Sequence, residues 1–499
     1  MPNMLNRFST HFSKTCPLIL LALTLCGLVQ NSYGEDTASA DAAYWKSVYE
    51  DNHVVTIDIS LTGEAWKAMQ PVESEHDGRR PRDGGPVPGG GMNSESDFTY
   101  VKARITIDGE TFNDAGLRFK GNSSYRFSSD GYRRPFKIDT NRFVKGQKLH
   151  GCTKVNLSNA FLDPAYMKEK LAYEVYRAAG VPSPEVGWAT VTLTIEGVVE
   201  KQALGVYALV EQVDKNFLVR NFGKENKGSL LMKPEVSSNW EYPGDDSELY
   251  ERFEIKVGEE NTEQIRRFSE LLKLIHEGSD EDFAKEIGER MDLDQFAGYL
   301  AATSVLSNMD SYIGMPHNYY LLMNKADGKL HLLPWDVNGA FGTFTMGGAP
   351  EELVDWDIDR PWVAELKLVE RLFATESFTK LYKSAIAALM KEAFTEEKLF
   401  ARMAEFEKVL TPHLTEQAAA DLRMGLTGDA DGYNTAIERR VLAIKPFVSR
   451  RIESVNAQLS GNREGTQIEA RHRGPRPPGG GPAGRRPDRP EGRRPPRPR

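Results

Sequence analysis

Asp327-Gly328 sits between two apolar, strand-like runs in HNYYLLMNKADGKLHLLPWDVNGAFG (His317–Gly342), within an otherwise helical half of the chain. Asp-Gly suits the left-handed backbone of a tight reversal. Folding the chain back there pairs Tyr319–Asn324 with Lys329–Leu333. Asn318 and Asp336 then meet at the open end of the hairpin, and Asp310, in SNMDSY, lies a short loop upstream. An amide oxygen and two carboxylates so placed can hold a divalent ion and leave one base free. Phosphoryl transfer needs those parts, because its chemistry is mostly positioning and charge neutralisation.

The rest of the pattern says what must surround that hairpin. Val54–Leu61 alternates as a strand does. Strand-like segments follow at Tyr100–Ile107, Leu117–Lys120, Phe136–Ile138, Lys154–Leu157, Trp188–Ile195, Gly205–Val210 and Leu230–Lys233. One helix interrupts them at Ala165–Ala179, with Met167, Leu171, Val175 and Ala178 on one face; Gly180 and Pro182 end it. Beyond about residue 260 helical spacing dominates, at 262–277, 280–290, 294–307, 363–391, 395–408, 412–424 and 436–459. The expected fold class is α+β with two lobes: a β-rich lobe over 100–258 and a mostly helical lobe over 259–460 that carries the hairpin. A cleft between lobes is a natural ligand site.

The chain ends read differently. Arg7 and Lys14 precede the apolar run Pro17–Val29, and Ser32-Tyr33-Gly34 places small residues, Ser32 and Gly34, at both cleavage-defining positions, so 1–34 reads as a secretory signal peptide. The run is short for a membrane span, and no later apolar stretch is long enough to cross a bilayer. LTLC at Leu23–Cys26 faintly resembles a lipoprotein signal, with Leu25 too bulky for it. Removal of 1–34 leaves Cys152 alone, which excludes an intrachain disulfide and most zinc patterns. Residues 35–99 read as an extension whose stretch Pro71–Asn93, rich in Gly and Pro, is a mobile loop. Residues 461–499 hold 11 Arg against 4 acids and almost nothing apolar, so they read as a disordered basic tail able to tether an anionic surface polymer. With that tail and 1–34 set aside, the chain's net charge of −9 becomes about −18. So acidic a body is a poor nucleic-acid platform.

Asp294–Ser307 reads as a helix that delivers Asn308, Met309 and Asp310 at its C-terminal end. Asp336 lies just past an apolar strand, where core packing poorly explains a carboxylate. Trp335 reads as a core aromatic and His317 as a neutral partner for a carboxylate. Asp355, Asp357 and Asp359 read as a solvated edge or an acidic lip for basic substrate segments.

The segments GLRFKGNSSYR, RPFKIDTNRF, DPAYMKEKLAYEVYRAAGVPSPEVGWATVTL, GVYALVEQVDKNFL, GSLLMKP, NMDSYIGMPHNYYLLM and LLPWDVNGAFG, in that order, resemble the CotH family of secreted or spore-coat proteins. The resemblance covers roughly residues 100–345. It implies an atypical protein-kinase-like fold and ATP-dependent phosphorylation of Ser or Thr in a protein partner. It makes Asp310 the carboxylate that orients the acceptor hydroxyl and takes its proton. Asp336, with Asn318 as second ligand, becomes the holder of Mg²⁺ or Mn²⁺. It implies a lysine on the ATP phosphates: Lys137 in PFKID, with Lys120 and then Lys233 as competitors. Glu169, or else Glu174, is the ion-pair partner of that lysine. Gly121, Asn122 and Ser123 can present backbone N–H groups to phosphate, and Glu211 lies in a segment that resembles an adenine-binding hinge. Two rival readings keep the fold: a surface or coat protein that binds without turnover, and a nucleotidyl transferase that binds ATP reversed.

Overall fold

The structure is a computed structural model that describes residues 40–71, 98–121, 123–126, 128, 131–234, 240–242, 244, 253–345, 348–428, 433–434 and 440–469. The signal-peptide reading, most of the Gly/Pro-rich loop, Asn122 and residues 470–499 fall outside the described residues.

A helix over 40–49 (α1) leads into a closed seven-stranded barrel. Its strands are β1 (Val54–Leu61), β2 (Val101–Ile107), β3 (Glu110–Phe119), β4 (Phe136–Asp139), β5 (Lys154–Ser158), β6 (Val186–Ile195) and β7 (Val199–Val210), ordered β1-β2-β3-β4-β5-β7-β6. Short helices α2 (Gly63–Met69) and α3 (Ser123–Arg126) and the longer α4 (Lys168–Ala178) lie between them. Closure comes from a parallel β1–β6 pair running from Val54 opposite Trp188 to Leu61 opposite Ile195. Alternate residues, such as Val55, Ile57, Ile59 and Leu61 on β1 and Phe136 and Ile138 on β4, fill the barrel as one core. The first lobe therefore starts at Val54, not near residue 100. Sequence alternation marks β1 as a strand but is silent on a partner so far along the chain.

The second lobe begins with α5 (Lys215–Phe222) and includes β8 (Leu230–Pro234) and β9 (Phe253–Val257). Next come α6 (Thr262–Glu277), α7 (Asp280–Arg290) and α8 (Leu293–Val305). The hairpin β10 (Tyr319–Met323) and β11 (Leu330–Pro334) precedes α9 (Pro350–Val354), α10 (Lys367–Phe373), α11 (Glu376–Glu392), α12 (Glu396–Leu410), α13 (Glu416–Thr427) and α14 (Ile444–Leu459). A minimal pair, β12 (Tyr433–Asn434) and β13 (Arg440–Val441), precedes α14. The hairpin register is Tyr319 opposite Pro334 through Met323 opposite Leu330, with the Asn324 N–H donating to Lys329 O at 2.9 Å. β8 and β9 extend this sheet in the order β11-β10-β8-β9. They belong with the hairpin rather than the barrel, so the boundary at 258 moves back to the segment after β7. The continuous pattern at 363–391 breaks at Ala374–Thr375 into α10 and α11.

One large core joins the outer faces of β6 and β7, through Trp188, Val206, Ala208 and Val210, to α4 and the second lobe. Trp188 meets Phe406 edge to face at 5.0 Å. Residues 461–469 are also part of the fold. Asp357 N–H donates to Thr466 O, Thr466 N–H donates to Asp355 O, and Arg463 pairs with Asp355 at 2.9 Å. The acidic edge thus holds the chain's own C-terminal segment through Asp355 and Asp357, while Asp359 pairs with Lys383 at 2.7 Å. Residues 461–469 thus leave the basic-tail reading, and its remainder, 470–499, lies outside the described residues.

Candidate active site

α8 is buried from Gln295 to Val305 and ends against a cation. The fully buried Arg451 of α14 donates to Ser304 O at 3.0 Å and to Val354 O and Trp356 O at 2.8 Å each. A positive charge suits a helix C-terminus, whose last carbonyls lack partners. Beyond it, Ser307 takes a positive φ of 46° and Asn308 N–H returns to Thr303 O. The turn brings Asp310 beside the hairpin mouth, where Asn318 Nδ2 donates to Asp310 O at 3.1 Å. Asn318 and Asp336 both adopt the left-handed backbone, at φ 59° and 53°, which Asn and Asp tolerate better than most residues. Trp335 N–H donates to Asn318 O at 3.1 Å, and Asp336 N–H donates to Tyr173 Oη at 3.0 Å. Gly339 allows the close fit: a Cβ there would lie 3.0 Å from Asp310 Cβ and 3.3 Å from Asn308 Oδ1.

His317 Nε2 lies 2.6 Å from Asp310 Oδ1, and its Nδ1 lies 2.7 Å from Met315 O. A carboxylate and a carbonyl are both acceptors, so both ring nitrogens face groups that favour a protonated ring. Burial opposes that charge, but the Asp310 carboxylate outweighs it and holds the His317 pKa above its usual value. The Asp310 carboxylate thus favours the protonated form of His317 over what burial alone would give. The contact is close but poorly aligned, and Asp310 Oδ1 keeps no hydrogen-bond partner among the described residues.

The opposite wall comes from α4 and the end of β3. A small cavity is lined by Lys120, Ser124, Asn159, Glu169, Asp336 and Asn338. Burial pushes the Asp336 carboxyl up; Lys120 pulls it back, Asp310 adds to the rise, and Lys233 and His317 oppose it. Burial and then Asp336 push the Glu169 carboxyl up to about 8, against the pull of Lys120. Lys120 therefore acts on Glu169 and Asp336 together. Lys137 leaves the same outer face of the barrel, opposite Arg118 and Asn156, and its charge acts on Asp214. The geometry thus favours Lys120, the competitor in the sequence, at this spot. Glu174 points elsewhere and binds Arg402 at 2.6 Å, which leaves Glu169 as the α4 carboxylate in the site.

The remaining expected residues divide. Gly121 has φ 71°, and a Cβ there would run into Ser124 Oγ, so this reversal suits glycine. Ser123 is exposed on α3. The Glu211 side chain is engaged by Arg220 at 2.5 Å and by Glu185 N–H at 3.0 Å, and its own N–H donates to Glu185 O. It lines a cavity with Trp45, His150 and Cys152, apart from the Asp310–Asp336 cluster. Tyr173 was not anticipated, although it lies four residues after Glu169, on the same helix face. Arg451 left no signal, since it acts through contacts distant in sequence.

The donor set suits a hard divalent cation held by few protein oxygens. Among the described residues no three His, Cys, Asp or Glu side chains form a metal cage. Asp336 supplies a buried carboxylate, and Asn318, having donated through Nδ2, keeps Oδ1 for a cation. Magnesium is commonly bound by one or two protein groups and completed by water and phosphate.

A family model described as CotH kinase protein matches residues 117–455. The inner spore coat protein H of Bacillus subtilis (strain 168) is 23% identical over 302 residues, 59% of this chain and 76% of that protein. Among solved structures, the Shewanella oneidensis MR-1 complex of HipA, HipB and operator DNA superposes with a TM-score of 0.31 at 12% identity, covering 67% of this chain and 66% of that one. The Helicobacter pylori proinflammatory kinase CtkA gives a TM-score of 0.27 at 10% identity, covering 76% and 95%. The family match takes in the barrel from the end of β3, the hairpin and the helical lobe to α14, and by it the chain belongs to the CotH kinase family.

Proposed function

We propose that the protein is a divalent-metal-dependent protein kinase that transfers the γ-phosphoryl group of ATP to a Ser or Thr hydroxyl of a partner protein. The observation that carries this is the convergence of Asp310, Asn318 and Asp336 at one hairpin mouth, opposite Lys120 and Glu169. Asp336 and Asn318 would hold Mg²⁺ or Mn²⁺, whose charge offsets that of the phosphates. Lys120 would bind phosphate oxygens, with Glu169 fixing its ammonium; Lys137 stands as the alternative on the same barrel face. Asp310 orients the acceptor hydroxyl and takes its proton, and His317 fixes the Asp310 carboxylate from the side. Gly121 and Ser123, with Asn122 between them, are a candidate phosphate loop, and Glu211 marks the candidate hinge.

A binding role without turnover is the second reading, favoured by the likeness to a spore coat protein. Export through residues 1–34, and tethering of an anionic surface polymer by the basic tail, belong to either reading. No helix among the described residues is long and apolar enough to cross a membrane.

The test is the intact mass of the protein and of a Ser-containing partner after incubation with ATP and Mg²⁺ or Mn²⁺, beside Asp310→Ala and Asp336→Ala. A gain of one phosphate, absent in both variants, supports the kinase. An AMP-sized gain replaces it with nucleotidyl transfer. No gain, together with no ATP-induced thermal shift, favours the binding role.

A further inference from the structure

The loop between β4 and β5 carries a feature that phosphoryl transfer does not use. Phe143 and Val144 are 42% and 38% exposed, and they are the only adjacent pair among the exposed large hydrophobic residues described. Arg142, Lys145 and Lys148 flank them, and no acid occurs between Thr140 and Thr153. Lys102 Nζ lies 5.8 Å from the Phe143 ring centroid, and the Arg142 guanidinium lies over Tyr100 at 5.0 Å. Three acids lie around the base of the loop: Asp114 is 3.4 Å from Lys102, the Asp139 carboxylate accepts the Asn141 N–H at 3.1 Å, and Asp41 is 3.3 Å from His150. This basic and apolar tip stands out on a body whose net charge is about −18.

The loop is held in shape. Thr140 Oγ1 donates to Gln147 O at 2.9 Å, and Gly146 N–H donates to Asn141 Oδ1 at 2.7 Å. Gln147 Nε2 donates to Asn113 O of β3 at 2.9 Å. The two apolar side chains are thus presented by a built loop, and little ordering entropy would be lost when they are buried.

We propose that this loop docks the protein on an anionic lipid surface, with Phe143 and Val144 entering the interfacial region and Arg142, Lys145 and Lys148 meeting the headgroups. Charge complementarity favours the anionic surface. Size favours lipid over protein: a stable protein interface buries roughly 800 Å² per partner, far more than two apolar side chains supply. A bilayer accepts a single apolar tip and lets mobile headgroups gather around the cations.

The test is co-sedimentation of the full chain with phosphatidylcholine vesicles, with and without phosphatidylglycerol. Phe143→Ser/Val144→Ser and Arg142→Ser/Lys145→Ser/Lys148→Ser run beside the parent, each checked for an unchanged melting temperature. The Arg-rich tail is common to all three proteins and almost free of apolar residues, so the apolar double variant isolates the loop. Binding of the parent to the anionic vesicles is expected, with a loss of about tenfold or more in the double variant and a comparable loss in the triple variant. A double variant that binds as the parent does, with soluble polyglutamate displacing both equally, would assign the attraction to anionic polymers alone and overturn the proposal. So would a parent that ignores the anionic vesicles. Neither outcome touches the kinase reading, which uses none of these residues.

Discussion

Glu169 should make the fold less stable for the sake of the site, and Glu169→Gln measures that cost. Its carboxyl is buried beside Asp336, and burial followed by that neighbour pushes its pKa from 4.5 up to about 8. A folded-state value above the unfolded one means that the native protein binds an extra proton between those two pH values. Stability therefore falls as pH rises through that window, and the cost is absent below it. At about pH 7 the difference spans roughly 2.5 units, or about 3 kcal/mol at about 1.4 kcal/mol per unit. Glutamine has no proton to bind and still accepts from the Ser158 hydroxyl, although it loses the attraction of Lys120. Glu169→Gln should thus be more stable than the parent by about 1–3 kcal/mol near pH 7, and by less than about 1 kcal/mol near pH 5. The assay is thermal unfolding at both pH values in EDTA, so that no divalent ion offsets the charge of Asp336. A variant no more stable than the parent near pH 7, or one whose advantage does not shrink near pH 5, would refute the reasoning. The same substitution should lower phosphoryl transfer, because a divalent ion beside Asp336 would offset the charge that helps raise the Glu169 pKa and so let its carboxylate fix Lys120.

Lys120→Ala should abolish the ATP- and Mg²⁺-dependent rise in melting temperature while Lys137→Ala keeps at least part of it; the reverse result would return the phosphate-binding role to Lys137. Arg451→Leu removes the side-chain donor from Val354 O and one of the donors from Ser304 O and from Trp356 O and should cost about 1–3 kcal/mol, read as a lower denaturation midpoint; an unchanged midpoint would show that the end of α8 does not depend on it. Gly339→Ala should press on Asp310 and Asn308 and slow phosphoryl transfer by about tenfold or more with only a small change in melting temperature. Equal activity would mean that the Asp310 loop yields to the methyl group without losing its alignment.

What the sequence makes legible here is whatever is local. The hairpin register follows from two apolar runs and one Asp-Gly, and it alone brings Asn318 to Asp336. Glu169 and Tyr173 lie one helical turn apart, so the face of α4 that meets the site is also readable. Four things were not. The barrel closes through β1 and β6, which are far apart in the chain, and no strand pattern names its own partner. β8 and β9 join the hairpin sheet because β10 offers them an edge, which depends on how the lobes meet. Lys120 and Lys137 share one barrel face, and alternation cannot rank them. What separates them is the carboxylates opposite, since Glu169 and Asp336 face Lys120 while Asp214 faces Lys137. The tail boundary failed for a related reason. Composition alone assigns 461–469 to the basic tail, yet Arg463 and Thr466 bind a partly buried acidic edge that the same composition would read as solvated. Local pattern finds the chemical groups in this chain, and the long-range pairing of charges decides which of them act together.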